Sequence, residues 1–342
     1  TVFTSPAGYV KLQAAAAPSS TTQSFNFVNH ALAQKRKSVG EVTAGGTDTI
    51  TSSGSSWSTD QFAGTEGPHF VLITSGSLEG QIYDITSNSS NTLTLAEGSG
   101  DTSGLVGDSF QIYQHNTLAS MFGEDPEANG VLGGLNPEDA DQIMLYDVEI
   151  SDFREFYFRN SGDPFSNTDI ENDWVESGQI DDSAAQTIIP PNQGFIYARR
   201  DTSSPLEVTL FGDVITSAVS VPIIPGFNLV AVPAPVDTNL TLGTSGLRPE
   251  NGEAEDLSIH LQGGGDANDA ETILIFDNAT ASYRTYFFRD LQTPFTSNDI
   301  ENDWVEDGTN FTTSAADTSL NGGSFFVARK AENPPLNWVF PS

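Results

Sequence analysis

The chain has 342 residues, no cysteine, and 46 acidic against 13 basic side chains, a formal charge of −33. That charge repels nucleic acid and anionic membrane surfaces, and the apolar runs are strand-sized, far short of the roughly 20 residues of a membrane-spanning helix. Disulfides, thiolate chemistry and cysteine-ligated zinc are excluded, and four scattered histidines (His30, His69, His115, His260) offer neither a metal cage nor a triad.

The length favours two or three domains, and 37% hydrophobic residues suffice to build their cores. Few lysines, abundant Ser, Thr, Gly and Asn, and a first residue that is Thr1 predict an exported protein freed of its signal peptide, outside the cell or on its surface. In chain order, Val2-Phe3, a Pro6-Ala7-Gly8 break and the alternating Tyr9-Val10-Lys11-Leu12 predict one strand on a Ser/Thr leash. Val219 to Ile224 is its rough counterpart later in the chain. His30 to Lys37 is expected to be a short helix. Residues 39–113 contain no Lys or Arg, and their short alternating runs (Phe70–Ile73, Gln81–Ile85, Thr92–Leu95, Phe110–Tyr113) predict a small inserted β-barrel or sandwich. Single helical turns are expected at Asn136–Ala140 and Asp266–Ala270.

From Ala140 onward the chain repeats itself without a gap at an offset of 130 residues, Ala140 against Ala270. Phe153–Arg159 matches Tyr283–Arg289, Phe195–Arg200 matches Phe325–Lys330, and Asp169–Glu176 recurs identically as Asp299–Glu306. Upstream, Phe25–Val28 resembles Phe227–Val230, and Asn116-Thr117-Leu118 resembles Leu240-Thr241-Leu242. The fold class expected is all-β: two tandem related sandwich-like units, 1–38 with 114–214 and then 215–342, the first interrupted by the inserted domain 39–113.

The identical DIENDWVE segments place Asp169, Glu171 and Asp173, and again Asp299, Glu301 and Asp303, at alternating positions. On an extended chain these share a face and supply the hard oxygen ligands that calcium takes. Because EF-hand spacing is missing, turn capping and pairing with arginines are preferred over calcium. Eight of the 13 basic residues are specified by the repeat: Arg154, Arg159, Arg199 and Arg200 against Arg284, Arg289, Arg329 and Lys330. Structural ion pairing is the favoured role for Arg154, Arg159, Arg284 and Arg289. Trp174 and Trp304 are expected to anchor the acidic loops, and the aromatic trios at 156–158 and 286–288 to be buried on both faces.

Gly8-Tyr9-Val10-Lys11-Leu12, the Asn116-Thr117-Leu118 and Leu240-Thr241-Leu242-Gly243 landmarks, and the paired basic residues at 199–200 and 329–330 are shared features. Through them the chain resembles, over nearly its full length, a family of exported, duplicated β-rich proteins from verrucomicrobial bacteria that carries no assigned activity. The resemblance implies export and a β fold. Around Trp174 and Trp304 that family tends to be Gly-rich or basic, whereas this chain is acidic. The insert, from Ser56-Trp57 to Asn91–Leu95, is similar to a small β module of phage and bacterial surface proteins, where it serves as a spacer.

No constellation for catalysis stands out, and a glycan-active hydrolase would need a cleft carboxylate pair that the sequence does not single out. The function expected is an extracellular structural protein, its partner a second copy of itself, assembling head-to-tail by strand addition through Val2, Phe3, Tyr9, Val10 and Leu12. A carbohydrate-binding or adhesive surface protein, with glycans as partners, is the alternative.

Overall fold

A computed structural model describes residues 7–19, 21–30, 32–63, 67–160, 170–232, 240–248, 256–290, 300–321 and 323–340. Among the described residues 24 strands form six sheets, with one α-helix, Leu118–Phe122, so the chain is all-β and sandwich-like. The helix follows from a capping box: the Thr117 hydroxyl accepts from Ser120 N, and the Ser120 hydroxyl accepts from Thr117 N.

In the first half a five-stranded antiparallel sheet runs in the order Asp173–Glu176, Asp152–Arg159, Gln142–Asp147, Phe195–Arg199, Ser24–Val28. A smaller sheet, Ala7–Ala14, Leu206–Val214 and Leu32–Ala33, covers one face of it. Leu12, Ala14, Leu206 and Val208 from the small sheet share a buried cluster with Ile143, Phe156, Phe158 and Tyr197 from the large one. The alternation of the strand puts Tyr157 on the opposite face, with Ala140 and Val175. Both faces of the aromatic trio are thus buried, as expected.

The second half repeats this pairing. Its five-stranded order is Gly226–Val230, Phe325–Arg329, Thr272–Asp277, Ser282–Arg289, Asp303–Glu306, and Val219–Ile223 pairs with Leu336–Phe340. Registers correspond: Leu12 faces Val208 as Val221 faces Trp338, and Val28 faces Phe195 as Val230 faces Phe325. An asparagine ties the strands together in each half. Asn26 Oδ1 accepts from Ala15 N at 2.9 Å, and Asn228 Oδ1 accepts from Ile224 N at 3.0 Å.

Residues 36–114 build a seven-stranded sheet in the order Arg36–Glu41, Ser109–Gln114, His69–Ile73, Ile82–Asn88, Thr92–Leu95, Thr49–Thr51, Ala44–Gly46. Its core, including Val42, Ile50, Val71, Leu93 and Phe110, is its own. The barrel foreseen as one form of this segment does not close. Its two edge strands are joined by Val42 and Thr43, whose N–H groups go to Asp108 O (2.9 Å) and Thr51 O (2.8 Å), so the chain rounds a corner between the edges instead of pairing them. The helix expected over 30–37 is also replaced, by the strands Leu32–Ala33 and Arg36–Glu41, because tertiary pairing with Leu206–Val214 and Ser109–Gln114 outweighs a weak local propensity. At 137–139 a 3-10 turn forms as expected, and 267–269 is a turn without a helix.

The two five-stranded sheets meet back to back. Tyr146 and Ile196 of the first pack with Leu229 and Phe326 of the second, and Phe27 stacks on Phe276 with ring centroids 4.9 Å apart. The seven-stranded sheet lays Phe70, Leu72 and Tyr113 against Ile215 and Val219, the segment that joins the halves.

Candidate functional site

The N-terminal strand is an edge strand held in cis. Ala7–Ala14 pairs residue for residue with Leu206–Val214, Ala7 facing Asp213 and Ala14 facing Leu206. Its inward face buries Leu12 and Ala14, half-buries Val10, and leaves Tyr9, Lys11 and Gln13 outside. Lys11 Nζ donates to Glu207 Oε1 at 2.6 Å and Gln13 Nε2 to Oε2 at 3.2 Å, which raises the Lys11 pKa and lowers that of Glu207. Tyr9 (66% exposed) faces Phe211 (73% exposed), their rings 6.3 Å apart. Val2 and Phe3 lie outside the described residues.

What differs between the halves is the connection. Nine residues, 15–23, separate Ala7–Ala14 from Ser24–Val28, whereas two, 224–225, separate the equivalent strands Val219–Ile223 and Gly226–Val230. The longer connection is tied down by Ala17 N donating to Asp201 O at 2.8 Å.

The duplicated acidic segment has structural duties at nearly every described position. Ile170 O and Ile300 O accept from the buried guanidinium groups of Arg159 and Arg289. Asn172 and Asn302 adopt left-handed φ of 51° and 55°, which asparagine tolerates, so the extended alternation assumed for calcium ligation is broken between Glu171 and Asp173 and between Glu301 and Asp303. Asp173 and Asp303 accept from the following Trp174 and Trp304 N–H groups at 2.7 Å. Both indoles are buried, as expected. Glu301 lies 3.3 Å from Arg289, and Glu171 is half-buried. Glu176 and Glu306 take Arg154 and Arg284 in two-pronged pairs, which push both guanidinium pKa values up. Asp169 and Asp299 lie outside the described residues, and among the described residues no group of three or more His, Asp or Glu is placed to hold a metal.

A second set of carboxylates, not singled out from the sequence, anchors the basic residues at the ends of the strands Phe195–Arg199 and Phe325–Arg329. Asp141, buried at the start of its strand, accepts from Arg199, from Tyr197 Oη at 2.7 Å and from Leu132 N at 2.9 Å. Burial, then the Asp141 charge, holds the Tyr197 phenol well above its ordinary pKa. Glu271 stands in the same place, accepting from Arg329 Nη1, Lys330 N and Asn333 Nδ2, each at 2.9 Å. The signal was an acid directly before the strand in both repeats, invisible as a partner because Arg199 lies 58 residues away in sequence.

A cleft of about 780 Å³ opens where the hairpin turn after Gln142–Asp147, Asp84 of the inserted sheet and the strand Val219–Ile223 converge. Its walls carry Asp84, Asp147 and Glu149, while Arg154 is already held by Glu176. Asp84 Oδ1 lies 2.8 Å from Nε2 of the buried His115. Among the described residues that line the cleft there is no Ser, Cys, Lys or His. No protein-family model matches this chain, and comparison with curated proteins and with solved structures yields no match. No described helix is long and apolar enough to cross a membrane.

Proposed function

We propose that this chain is an extracellular, non-enzymatic structural protein whose copies join head-to-tail by strand addition, the segment Ala7–Ala14 of one copy occupying the groove beside Leu206–Val214 of the next. The observation that carries this reading is the contrast in connections: the strand Ala7–Ala14 seals a sandwich core with Leu12 and Ala14, and hangs on nine residues where its counterpart has two. In trans the strand would keep the same register and the same Lys11–Glu207 pair. Exchange therefore conserves contacts, and a heterologous contact of this kind propagates a chain of copies.

The cysteine-free background allows a direct test. Gln13 and Glu207 are register partners with exposed side chains, so the double variant Gln13→Cys/Glu207→Cys, oxidised after assembly, records which chain supplies the strand. A ladder of cross-linked multimers on a non-reducing gel is expected. A single cross-linked monomer band would overturn the proposal.

A further inference from the structure

Against the middle of the small sheet lies a cavity of about 190 Å³, between Val10 of the N-terminal strand, Thr209, and the segments carrying His30, Gln34, Asn116 and Ser120. Three features set it apart. First, although 46 of the 342 residues are acidic, no charged side chain is among the described residues that line it. Second, its polar groups are neutral donors and acceptors: two amides, two hydroxyls and an imidazole. Gln34 Nε2 donates to Asn116 Oδ1 at 2.8 Å, leaving the Gln34 carbonyl oxygen as an acceptor. Third, His30 is only 1% exposed, and although the backbone of Leu32 and Pro190 lies close to its ring, neither ring nitrogen reaches a partner with good hydrogen-bond geometry. A buried polar atom without a partner is costly, so such atoms occur where something else supplies the bond.

We infer that this cavity binds a small neutral polyhydroxylated molecule, a single sugar ring or a polyol, whose hydroxyls bond the His30 ring and the Gln34 carbonyl oxygen while Val10, Leu32 and Leu210 cover its apolar face. Size supports the class, since the space corresponds to roughly six waters of liquid volume, enough for one ring and too little for an oligomer. Neutrality supports it too, because neither an anion nor a cation would find a counter-charge in the lining. Imidazole is suited to the role, since a neutral ring can donate at one nitrogen or accept at the other and a hydroxyl can answer either. The backbone of Leu32 and Pro190 approaches His30 and offsets part of the effect of burial, which holds the ring neutral with its pKa lowered to about 4. The inference does not depend on how copies assemble.

The test is calorimetric titration of the whole chain with a panel of neutral hexoses, their reduced alditols and the matching disaccharides, alongside glucuronate and glucosamine as charged controls. Binding of at least one neutral probe at millimolar or lower concentration is expected, with the charged controls at least tenfold weaker. Binding of monosaccharides alone identifies free sugar as the ligand, and binding of disaccharides as well identifies the end of a glycan chain. Two variants locate the site. His30→Phe keeps a ring of similar shape but removes both nitrogens, and Val10→Phe fills the cavity from the strand while sparing its polar groups. Each is expected to weaken binding at least tenfold with the melting temperature unchanged or raised. Absence of binding by every neutral probe, or binding that survives Val10→Phe in a folded protein, would overturn the inference.

Discussion

Four guanidinium groups in this acidic chain sit at 4% exposure or less: Arg159, Arg199, Arg289 and Arg329. Burying a charge is expensive unless it is paired and hydrogen-bonded, and each of these meets carbonyls, a carboxylate or both. The repeat marked these positions as special, since eight of the 13 basic residues recur in it. Their partners were not legible, because which carboxylate reaches a buried arginine depends on sheet pairing between distant segments. His30 represents the opposite case, a buried titratable group without a counter-charge. Burial lowers its pKa from 6.5 to about 4, so as the pH falls the unfolded chain takes up the proton first. Its contribution is complete above pH 6.5 and is lost between 6.5 and about 4, by about 3 kcal/mol. Urea unfolding across that range should show this slope in the natural chain and a shallower one in His30→Phe.

At the scale of elements, alternation was the dependable guide. The inserted strands at 69–73, 82–88, 92–95 and 109–114 lie where short alternating runs placed them. Periodicity failed at 30–37, where a basic, mixed stretch carries no clear period and pairing with two different sheets decides the outcome. For the N-terminal strand, alternation separates two kinds of side chain that stand three positions apart. Leu12→Ala, on the buried face, should cost about 2–5 kcal/mol in chemical denaturation, whereas Tyr9→Ala, on the exposed face, should stay within about 0.5 kcal/mol. Equal effects would mean that the strand is not seated as described. The acidic segment shows a different limit: spacing suggested a common face, and a left-handed asparagine between the acids removed it.

For the whole molecule, the back-to-back contact of the two five-stranded sheets matters most. Gly194 and Ser324 stand at the same place in the two repeats and meet across this contact, where a Cβ on Gly194 would lie 2.0 Å from that of Ser324. Gly194→Leu should therefore wedge the sheets apart, converting a cooperative calorimetric transition into two resolved ones, with the melting temperature lowered for at least one half. A single transition at the original temperature would show that the halves are coupled elsewhere, through the inserted sheet on Ile215 and Val219.

Composition and periodicity by themselves determined the β class, the 130-residue repeat and the burial of Trp174 and Trp304, because alternation and aromatic content are local properties that any sheet must honour. Only the tertiary structure decided which carboxylate meets which arginine, that the inserted sheet stays open at Val42-Thr43, and that an uncharged cavity forms around His30. These depend on distant segments meeting at a particular register, and register is a property of packed sheets that no single stretch of sequence carries.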